Sequence, residues 1–445
     1  MSSLKEYNKK RNFNKTKEPY GKKKKSNKLL KFVIQHHIAT KDHYDLRLEY
    51  NDVYLSFAVP KGPSFNPKDK RLAVKVEDHP ISYGKFEGTI PEGEYGAGTV
   101  MLWDKGHYKI NEIDVNKYLK FTLYGKRLKG NWTLIKFKDN NWLLIKEKDE
   151  YVSNVDIKKY NTSIKSNRTM EEIKLGIDNI KITNENKIIY PKYKITKKDI
   201  IKYYKLVSDR MMPFLDNRLI STIRSPNGIY KEKFFMKHLN TNSKNLGKKK
   251  VHGDDYYYIK NVNGLLEEVQ MNSYEFHIWC SKQNKIKVPD IMVFDLDPDV
   301  NLGIKDLRFC ALELKKILDE LDLKSYLKTS GGKGYHIYVP INVKSYRLLE
   351  KISKSIVDIL INKYPNKYTT NIRKEKRKNK ILIDYYRNKM GATSVCPYSL
   401  RLKDNASISF PISWEDIKHI KPDTITIRNV KKYLEKDNPW SDFFD

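Results

Sequence analysis

The stretch DHYDLRLEY at residues 42–50 places three chemically active side chains at alternate positions. Successive side chains of an extended strand point to opposite faces, so His43, Asp45 and Arg47 share one face. An imidazole and a carboxylate are ligands for Mn²⁺ or Zn²⁺, and a guanidinium fits a phosphate because its planar fork donates two hydrogen bonds. The pattern therefore indicates metal-assisted chemistry on a phosphate. The alternative is a polar outer strand face with hydrogen-bonded histidines.

Two nearby segments carry side chains of the same kinds. QHHI at residues 35–38 and VEDHPISY at residues 76–83 supply Gln35, His36, His37, Glu77, His79 and Tyr83. A neighbouring strand that carries His37 would complete a set of two imidazoles and one carboxylate, which suits a divalent metal ion. His36 precedes His37 directly, so either histidine could be the ligand.

A second group of acidic residues lies in the other half of the chain. VFDLDPD places Asp295 and Asp297 two residues apart at the end of an apolar run, and Asp384 follows the apolar run KILI. Carboxylates crowded at a strand end repel each other unless cations lie between them. Three aspartates on adjacent strands can hold two Mg²⁺ or Mn²⁺ ions about 4 Å apart, as in-line nucleotidyl transfer requires.

A glycine-rich segment, TSGGKGYH, lies between these aspartates. Backbone N–H groups after Ser330 could approach a triphosphate, and Lys333 and His336 could supply further donors. Arg401 in YSLRLK could hold the γ-phosphate. A glycine-rich hairpin turn is the alternative interpretation.

The elements that must position these residues differ between the two halves. Short alternating segments over residues 31–150 predict a small closed or nearly closed β-barrel. Residues 181–445 alternate helical patterns, such as KKDIIKYYKLVSDRMM and IKDLRFCALELKKILDEL, with apolar strands, which predicts a mixed α+β domain. Residues 1–30 are expected to form a basic flexible tail, and the polar residues 151–180 a linker.

The charge balance indicates a polyanionic partner. The 445 residues contain 87 Lys and Arg against 54 Asp and Glu, a net charge of +33, although codon bias could account for part of the lysine excess. Three cysteines without a CxxC spacing argue against a disulfide framework or a zinc ribbon and favour a reducing cytoplasm. No leader peptide or membrane span is evident. We expect a cytoplasmic, nucleoid-associated protein.

Longer motifs in the first half resemble the 3′-phosphoesterase domain of bacterial DNA ligase D. They are FVIQHHIATKDHYDLRLE, FAVPKGPS, DKRLAVKVEDHPISYGKFEGTIPEGEYGAGTV and LWDKG. The resemblance implies a Mn²⁺-dependent enzyme that removes 3′-terminal ribonucleosides and then 3′-phosphates. It implies metal ligands at His37, His43 and Asp45, and phosphate-holding groups at Arg47 and His79. The supporting active-site positions that it implies are Gln35, Lys61, Arg71, Glu77 and Tyr83.

The second half resembles the polymerase domain of DNA ligase D, of the archaeo-eukaryotic primase type. The motifs are KIIYPKYKITKKDIIKYY, GLLEEVQMNSYEFHIW, VFDLDP, TSGGKGYHIYVPI and ILIDYYRNKMGATSVCPYSLR. The resemblance implies a nucleotidyltransferase that uses nucleoside triphosphates, favours ribonucleotides, and binds its metals through Asp295, Asp297 and Asp384. The implied nucleotide-contacting residues are His277, Ser330, Lys333, His336 and Arg401. Lys187 and Lys197 match a pair that grips a downstream 5′-phosphate of DNA.

DNA ligase D proteins usually also carry a ligase domain with a KxDG motif, which these 445 residues lack. We therefore expect no ligase activity, with sealing by a separate ATP-dependent ligase and recruitment by a Ku-like protein. The expected substrates are DNA ends and gapped or primer–template DNA in bacterial non-homologous end joining. The rival hypothesis is a primase-like polymerase whose barrel only binds nucleic acid and acts as an end-binding scaffold.

Overall fold

The computed structural model describes residues 4–22, 29–178, 180, 182–238 and 243–445. The chain divides into two compact units, Met1–Asn179 and Ile180–Asp445. Among the described residues, no helix is both long enough and apolar enough to cross a membrane.

The first unit is built on antiparallel strands. They are β1 (Leu30–Ile38), β2 (Asp42–Tyr50), β3 (Val53–Val59), β4 (Arg71–Lys75), β5 (His79–Pro80), β6 (Gly88–Ile90), β7 (Gly98–Asp114), β8 (Tyr118–Gly125), β9 (Lys129–Lys138) and β10 (Asn141–Lys146). In the described part of the chain, eight of them close a barrel in the order β1-β2-β3-β4-β10-β9-β8-β7, because β7 pairs back to β1. The β1–β7 pairing shifts register between Ile34 and Gln35. The predicted small barrel is confirmed.

Alternation along β2 separates the barrel core from a buried outer face. Tyr44, Leu46 and Leu48 pack inside the barrel with aromatic residues of β7, β9 and β10. The turn to β3 is the Asn51-Asp52 pair, with φ values of 48° and 66°, as a two-residue hairpin turn requires. The outward-facing Asp45 and Arg47 are only 6% and 2% exposed. The outer face is therefore covered, and the interpretation of β2 as a half-exposed polar strand is wrong.

The cover comes partly from the N-terminal residues. Helix α1 (Leu4–Lys9) buries Tyr7 completely, and Leu4 and Tyr7 join a cluster with Tyr83 and Phe86. The Arg11 side chain forms an ion pair with Glu18. The expectation of a flexible tail is therefore wrong for residues 4–22, because apolar side chains dispersed among lysines pack on the barrel. Lys23, Lys24 and Lys25 of the lysine block lie outside the described residues.

The expected linker over residues 151–180 also packs on the barrel where it is described. Helix α2 (Met170–Lys174) begins at a capping box between Thr169 and Glu172, and it buries Ile173 in the barrel core. The indole Nε1 of Trp103 donates a hydrogen bond to the Tyr160 carbonyl at 2.9 Å. Sparse apolar residues in a polar segment gave too little periodicity to predict this packing.

The second unit contains two main sheets and five helices among its described residues. Its strands are β11 (Ile188–Tyr190), β12 (Ile195–Thr196), β13 (Arg218–Arg224), β14 (Phe234–Met236), β15 (Leu246–Val251), β16 (Asp254–Ile259), β17 (Ser273–Lys282), β18 (Ile291–Pro298), β19 (Tyr326–Thr329), β20 (Tyr335–Pro340), β21 (Tyr368–Thr369), β22 (Ile381–Asp384), β23 (Ser394–Val395) and β24 (Pro411–Ile412). Its helices are α3 (Lys197–Leu215), α4 (Val262–Gln270), α5 (Ile304–Glu320), α6 (Tyr346–Lys363) and α7 (Lys431–Leu434).

The sheet order explains how distant acidic residues meet. One sheet runs β15-β16-β13-β17-β23, and the other runs β21-β22-β18-β20-β19-β24. In the second sheet Asp295 lies opposite Asp384 on one side and opposite His336 on the other. The predicted mixed α+β domain is confirmed, and α3 and α5 coincide with the two helices that the periodicity indicates.

Candidate active sites

Two histidines and an aspartate meet on the outer face of the barrel. The register of β1 against β2 places His37 opposite His43 and Gln35 opposite Asp45. The His43 Nε2 atom lies 3.7 Å from Asp45 Oδ1, and His37 Nδ1 lies 3.9 Å from Asp45 Oδ2. One ligand atom from each residue lies within 4.8 Å of the others. This spacing suits three ligands of one metal ion with bonds of about 2.0–2.2 Å.

The hydrogen bonds of His43 and His37 indicate which of their ring nitrogens are free to bind a metal ion. The Nδ1 atom of His43 lies 2.8 Å from the Lys41 carbonyl oxygen, which only accepts, so Nδ1 carries the proton. The Nε2 lone pair of His43 therefore faces a carboxylate. The Nε2 atom of His37 is buried without a hydrogen bond among the described residues. Burial lowers the pKa of His37 to about 4, so its ring is neutral near pH 7. The three side chains therefore fit a divalent cation.

His36 lies on the other face of β1. Its ring stacks on Tyr44 with centroids 4.3 Å apart, and its Nε2 lies 2.6 Å from Asp42 Oδ1. Of the two histidines that the sequence left open, the structure brings His37 and not His36 to His43 and Asp45.

The Arg47 guanidinium is anchored beside this group by three hydrogen bonds. It donates to Asp45 Oδ2 at 2.9 Å, to Gln35 Oε1 at 2.8 Å and to Ser56 Oγ at 2.9 Å. Gln35 is held in turn by the Tyr83 and Phe86 carbonyls, to which its amide donates. The guanidinium carbon of Arg47 also lies 4.7 Å from the Tyr83 ring centroid. The positive charge is therefore fixed next to the candidate metal ligands.

His79 completes the site together with Arg11, which the sequence analysis did not single out. The Nδ1 atom of His79 lies 2.9 Å from the Glu77 carbonyl oxygen, so Nδ1 carries the proton. Its Nε2 atom accepts from Arg11 Nη2 at 3.3 Å. Burial, with the charges of Arg47 and Arg11, holds the pKa of His79 well below its usual range. His79 is thus a neutral ring whose orientation is fixed at both nitrogens.

Acidic partners hold Arg11 in place. Its Nε lies 2.8 Å from Glu18 Oε1, and its Nη1 lies 3.4 Å from Glu77 Oε1. Both carboxylates are buried. The contact between Arg11 and His79 spans 68 residues of sequence, and no local pattern in the lysine-rich N-terminus could have signalled it.

Lys61 and Arg71 differ from their expected position as supporting residues. They line a separate cleft that also includes His36, Asp42 and Tyr44, on the barrel-interior side of β2. Arg71 pairs with Asp69 at 2.9 Å. The alternation of β2 directs His43 and Asp45 away from this cleft, so the structure does not bring Lys61 and Arg71 to the metal-ligand group.

In the second unit, three aspartates line a cleft of about 650 Å³. Each is paired with an arginine. Arg377 Nη1 lies 2.9 Å from Asp297 Oδ2, while Arg387 lies 3.5 Å from Asp295 Oδ2 and 3.3 Å from Asp384 Oδ2. The sequence did not single out either arginine. The three acidic oxygen donors fit hard divalent cations, and the arginines balance part of their charge.

The immediate neighbours set the charge states of these carboxyls. Burial raises the pKa of Asp295, but His336 and Arg387 outweigh it and lower the pKa overall. Burial raises the pKa of Asp384, and the nearby Asp295 carboxylate adds to this effect. The Nε2 atom of His336 lies 3.2 Å from Asp295 Oδ1. The acidic group therefore concentrates negative charge where a cation would be bound most strongly.

The glycine-rich segment forms a tight loop on the rim of the same cleft. Ser330 Oγ accepts hydrogen bonds from the backbone N–H groups of Gly332 and Gly334 at 3.0 and 3.2 Å. A Cβ atom at Gly334 would lie 1.8 Å from the Leu296 carbonyl oxygen, so only glycine fits against β18. Lys333 lines the cleft, and Arg401 donates to the Ser330 carbonyl at 2.7 Å. The loop is thus fixed beside the aspartates with two cations at its edge.

His277 lies behind this rim and is not among the described residues that line the cleft. Its Nε2 lies 2.9 Å from Glu275 Oε1, and Arg401 Nε lies 3.0 Å from the same oxygen. Burial raises the pKa of Glu275, but His277 and Arg401 outweigh it and lower the pKa to about 2. Glu275, which the sequence analysis did not identify, therefore links His277 to Arg401.

Lys187 and Lys197 meet at the start of α3. The backbone N–H of Lys197 donates to the Lys187 carbonyl at 2.9 Å. Lys197 Nζ donates to the Gln270 carbonyl at 2.6 Å, and Lys187 Nζ donates to Asn227 Oδ1 at 3.0 Å. Burial and the neighbouring Lys187 lower the pKa of Lys197. Two lysines at a helix N-terminus form a favourable environment for an anion.

Comparison with known proteins identifies both units. The family model "DNA Ligase D 3'-phosphoesterase domain" matches residues 35–136, and "LigD, primase-polymerase domain" matches residues 196–440. The multifunctional non-homologous end joining protein LigD of Pseudomonas aeruginosa is 48% identical over 141 residues, which are 30% of this chain and 16% of that protein. The bifunctional non-homologous end joining protein LigD of Bacillus subtilis is 30% identical over 270 residues, which are 60% of this chain and 44% of that protein.

A solved structure resembles the second unit. The polymerase domain of Mycobacterium tuberculosis ligase D in complex with DNA has a TM-score of 0.54 and 25% identity, and the match covers 58% of this chain and 96% of that chain. The matches to the Pseudomonas and Bacillus proteins span less than half of the length of either relative. With one family model covering more than half of its length, this chain belongs to the DNA ligase D family and combines a 3′-phosphoesterase domain with a primase-polymerase domain.

Proposed function

We propose that this protein prepares broken DNA ends for joining, with two metal-dependent activities on one chain. The barrel unit removes 3′-terminal ribonucleosides and 3′-phosphates with Mn²⁺, and the second unit fills gaps or extends ends, often with ribonucleotides. The observation that carries the proposal is the group of His37, His43 and Asp45 with the Arg47 guanidinium fixed beside it. A barrel that only bound nucleic acid would have no need of two imidazoles and a carboxylate grouped at the spacing of metal ligands.

In the phosphoesterase site each side chain has a separate task. A Mn²⁺ ion held by the three ligands would polarise the phosphoryl group and lower the pKa of a bound water. Arg47 forms an ion pair with Asp45 at 2.9 Å and offers its charge to the phosphate oxygens, where it offsets the charge that develops in the transition state. The neutral His79 accepts a hydrogen bond from Arg11 at its Nε2 atom and so holds the Arg11 guanidinium in place, where its charge can stabilise a phosphate oxygen.

In the polymerase site the three aspartates would hold two Mg²⁺ or Mn²⁺ ions, which would supply Lewis-acid activation and offset the charge that develops on the phosphates. The Ser330 loop, Lys333 and Arg401 line the same cleft and are placed to bind the triphosphate of an incoming nucleotide. His277 acts through Glu275, which fixes the orientation of Arg401. Lys187 and Lys197 would bind a 5′-phosphate of a gapped or broken DNA. The DNA complex of the related polymerase domain supports DNA binding by this unit.

The two activities are complementary in one repair reaction. Extension with ribonucleotides leaves a 3′-terminal ribonucleoside, and the phosphoesterase converts such an end to a 3′-hydroxyl that a ligase accepts. We infer that bacterial non-homologous end joining is the setting, as in the names of the Pseudomonas and Bacillus relatives. A Ku-like protein would recruit the chain, and a separate ATP-dependent ligase would seal the ends.

The test uses a labelled primer–template that ends in one 3′ ribonucleotide, incubated with the protein and Mn²⁺ but without nucleotides. We expect the wild type and Asp295→Ala to shorten the primer first to a 3′-phosphate and then to a 3′-hydroxyl, whereas His43→Ala leaves it unchanged. With nucleoside triphosphates added, His43→Ala should extend the primer and Asp295→Ala should not.

The rival hypothesis predicts a different result. If the wild type shifts the DNA in a gel but never alters its 3′ end at any Mn²⁺ concentration, the barrel is a binding module and the phosphoesterase assignment fails. If Asp295→Ala extends the primer as well as the wild type, the polymerase assignment fails instead.

A further inference from the structure

A fully buried lysine lies directly behind the polymerase cleft. Lys328 on β19 is 0% exposed and pairs in register with His336 on β20. Its Nζ atom lies 3.0 Å from His336 Nδ1 and within hydrogen-bond distance of Ser409 Oγ. In the described part of the chain it forms no direct ion pair with a carboxylate. An ammonium group removed from water without such a partner is costly, so its retention calls for a functional reason.

The contact with Lys328 determines which nitrogen of His336 carries the proton. A lysine amine donates to Nδ1, so Nδ1 accepts and the proton of the neutral ring lies on Nε2. That Nε2–H group points at Asp295 Oδ1, 3.2 Å away. The opposite tautomer would place the Nε2 lone pair against the carboxylate oxygen, where two acceptors repel.

This assignment does not depend on the charge of the lysine. Burial lowers the pKa of Lys328 well below its usual range, and the nearby Arg401 charge lowers it further. A neutral amine still has two N–H groups, one for Ser409 and one for His336. A neutral amine could also accept from an Nδ1–H group through its lone pair, but that tautomer would leave the Nε2 lone pair against Asp295 Oδ1. The Nε2–H tautomer is therefore favoured with either form of Lys328.

Lys328 is not among the described residues that line the cleft, whereas His336 is. An effect of Lys328 on a bound nucleotide must therefore pass through the imidazole ring. We propose that Lys328 is a positioning residue of the polymerase site, which fixes His336 as the Nε2–H tautomer and aims that N–H group into the cleft beside Asp295. The effect on nucleotide incorporation rests on the proposed polymerase function, but the tautomer assignment does not.

The first test observes the ring itself. Long-range ¹H–¹⁵N correlation spectra of the ¹⁵N-histidine-labelled full chain distinguish Nε2–H from Nδ1–H rings, and the His336→Gln spectrum identifies the His336 signals. We expect the wild type to show the Nε2–H form alone. In Lys328→Met, which removes the donor, we expect a mixture of the two tautomers or a protonated ring. An Nδ1–H ring in the wild type, or an unchanged spectrum in Lys328→Met, overturns the proposal.

The second test measures coupling between the two residues. Lys328→Met should lower kcat/KM for nucleotide incorporation about 10- to 100-fold in the wild type, as expected for a lost hydrogen bond to a polar group at the site. In a His336→Gln background the same substitution should lower it by less than about threefold, because residues that act through one another are not additive. Equal losses in both backgrounds would mean that Lys328 supports the fold rather than His336.

Two variants separate positioning from folding. Lys328→Gln retains a side-chain N–H donor and should restore part of the activity that Lys328→Met loses. Lys146→Met removes a comparably buried lysine, 1% exposed in the barrel unit, and should lower stability without affecting incorporation. If Lys328→Met does not fold, Lys328→Gln takes its place in the test. A Lys328→Gln spectrum that matches the wild type, together with the expected activity, supports the donor role. Loss of the Nε2–H form in a normally folded Lys328→Gln overturns the proposal. If even the wild type incorporates no nucleotide, the polymerase function fails, while the spectra still decide the tautomer.

Discussion

The two candidate metal sites balance their charge in opposite ways. The candidate phosphoesterase site contains two imidazoles and one carboxylate, which is already paired with Arg47 at 2.9 Å. The polymerase site uses three carboxylates, which are paired with Arg377 and Arg387. We therefore expect a metal at the first site to bind mainly to nitrogen lone pairs, and cations at the second to offset negative charge. The same contrast separates a mixed nitrogen–oxygen site from a hard oxygen site.

The largest expected effect tests the imidazole ligands of the phosphoesterase site. Replacing His37 by alanine should lower phosphoesterase activity more than about 100-fold, because loss of a direct ligand exceeds the 10- to 100-fold effect of a residue that only orients one. His36→Ala is the matched control, since its ring lies on the opposite face against Tyr44. The rate of 3′-phosphate release with Mn²⁺ measures both. Loss of activity in His36→Ala with retention in His37→Ala would reverse the ligand assignment.

The second effect tests the contact of Arg11 with His79 in the phosphoesterase site. Arg11→Met should lower kcat/KM for 3′-phosphate release about 10- to 100-fold, because a charged donor to His79 is lost and two buried carboxylates lose their partner. Lys10→Met removes a more exposed cation that also contacts Glu77, and should cost less than about threefold. Nucleotide incorporation should be unaffected by either. Equal losses in the two variants would assign the effect to Glu77 rather than to the contact with His79.

The third effect tests whether arginine and metal compete in the polymerase site. Arg387→Gln should tighten Mn²⁺ binding about three- to tenfold, because a guanidinium 3.3–3.5 Å from two carboxylates no longer opposes the ion. The electron paramagnetic resonance signal of free Mn²⁺ measures this in a His37→Ala, His43→Ala background that lacks the other site. Weaker or unchanged binding would show that Arg387 supports the carboxylates without competing for them.

The smallest expected effect concerns the buried carboxylate of Glu275, which pairs with His277 and Arg401. The pKa of Glu275 is lowered from 4.5 to about 2, so its ionised form stabilises the fold above pH 4.5, and this contribution is lost as the pH falls from 4.5 toward 2. Between pH 7 and pH 3.5 the difference in unfolding free energy between wild type and Glu275→Gln should shrink by about 1 kcal/mol. Urea denaturation at the two pH values measures it. A difference that grows at low pH would contradict the ion pairs with His277 and Arg401.

Sequence reasoning succeeded where local pattern and chemistry coincide. Alternation in DHYDLRLEY predicted the shared face of His43, Asp45 and Arg47, and the apolar runs before Asp295 and Asp384 predicted neighbouring strands. The barrel and the helices α3 and α5 followed from periodicity in the same way. Both metal-ligand groups could therefore be proposed before the fold was known.

What the sequence did not predict depends on contacts between distant residues. Arg11 reaches His79 from a segment whose many lysines resemble a solvated tail, and Glu275 is the one acidic residue of strand β17. Lys328 is one lysine among the many in this chain, and only its burial distinguishes it. The sequence resemblance implied Lys61 and Arg71 as supporting residues, but they line another cleft, and the alternation of β2 directs His43 and Asp45 away from it.

Because His36 and His37 are adjacent, a histidine of β1 would face His43 in either of two strand registers. A one-residue slip of a strand exchanges the faces of all its side chains. In β1 such a slip would turn His37 away from His43 and turn His36 toward it, next to a bulge at Ile34 and Gln35 where the pairing with β7 already changes register. A one-residue slip of β1 would therefore still present a histidine at the metal-ligand position, but it would turn Gln35 away from the Arg47 guanidinium that it anchors.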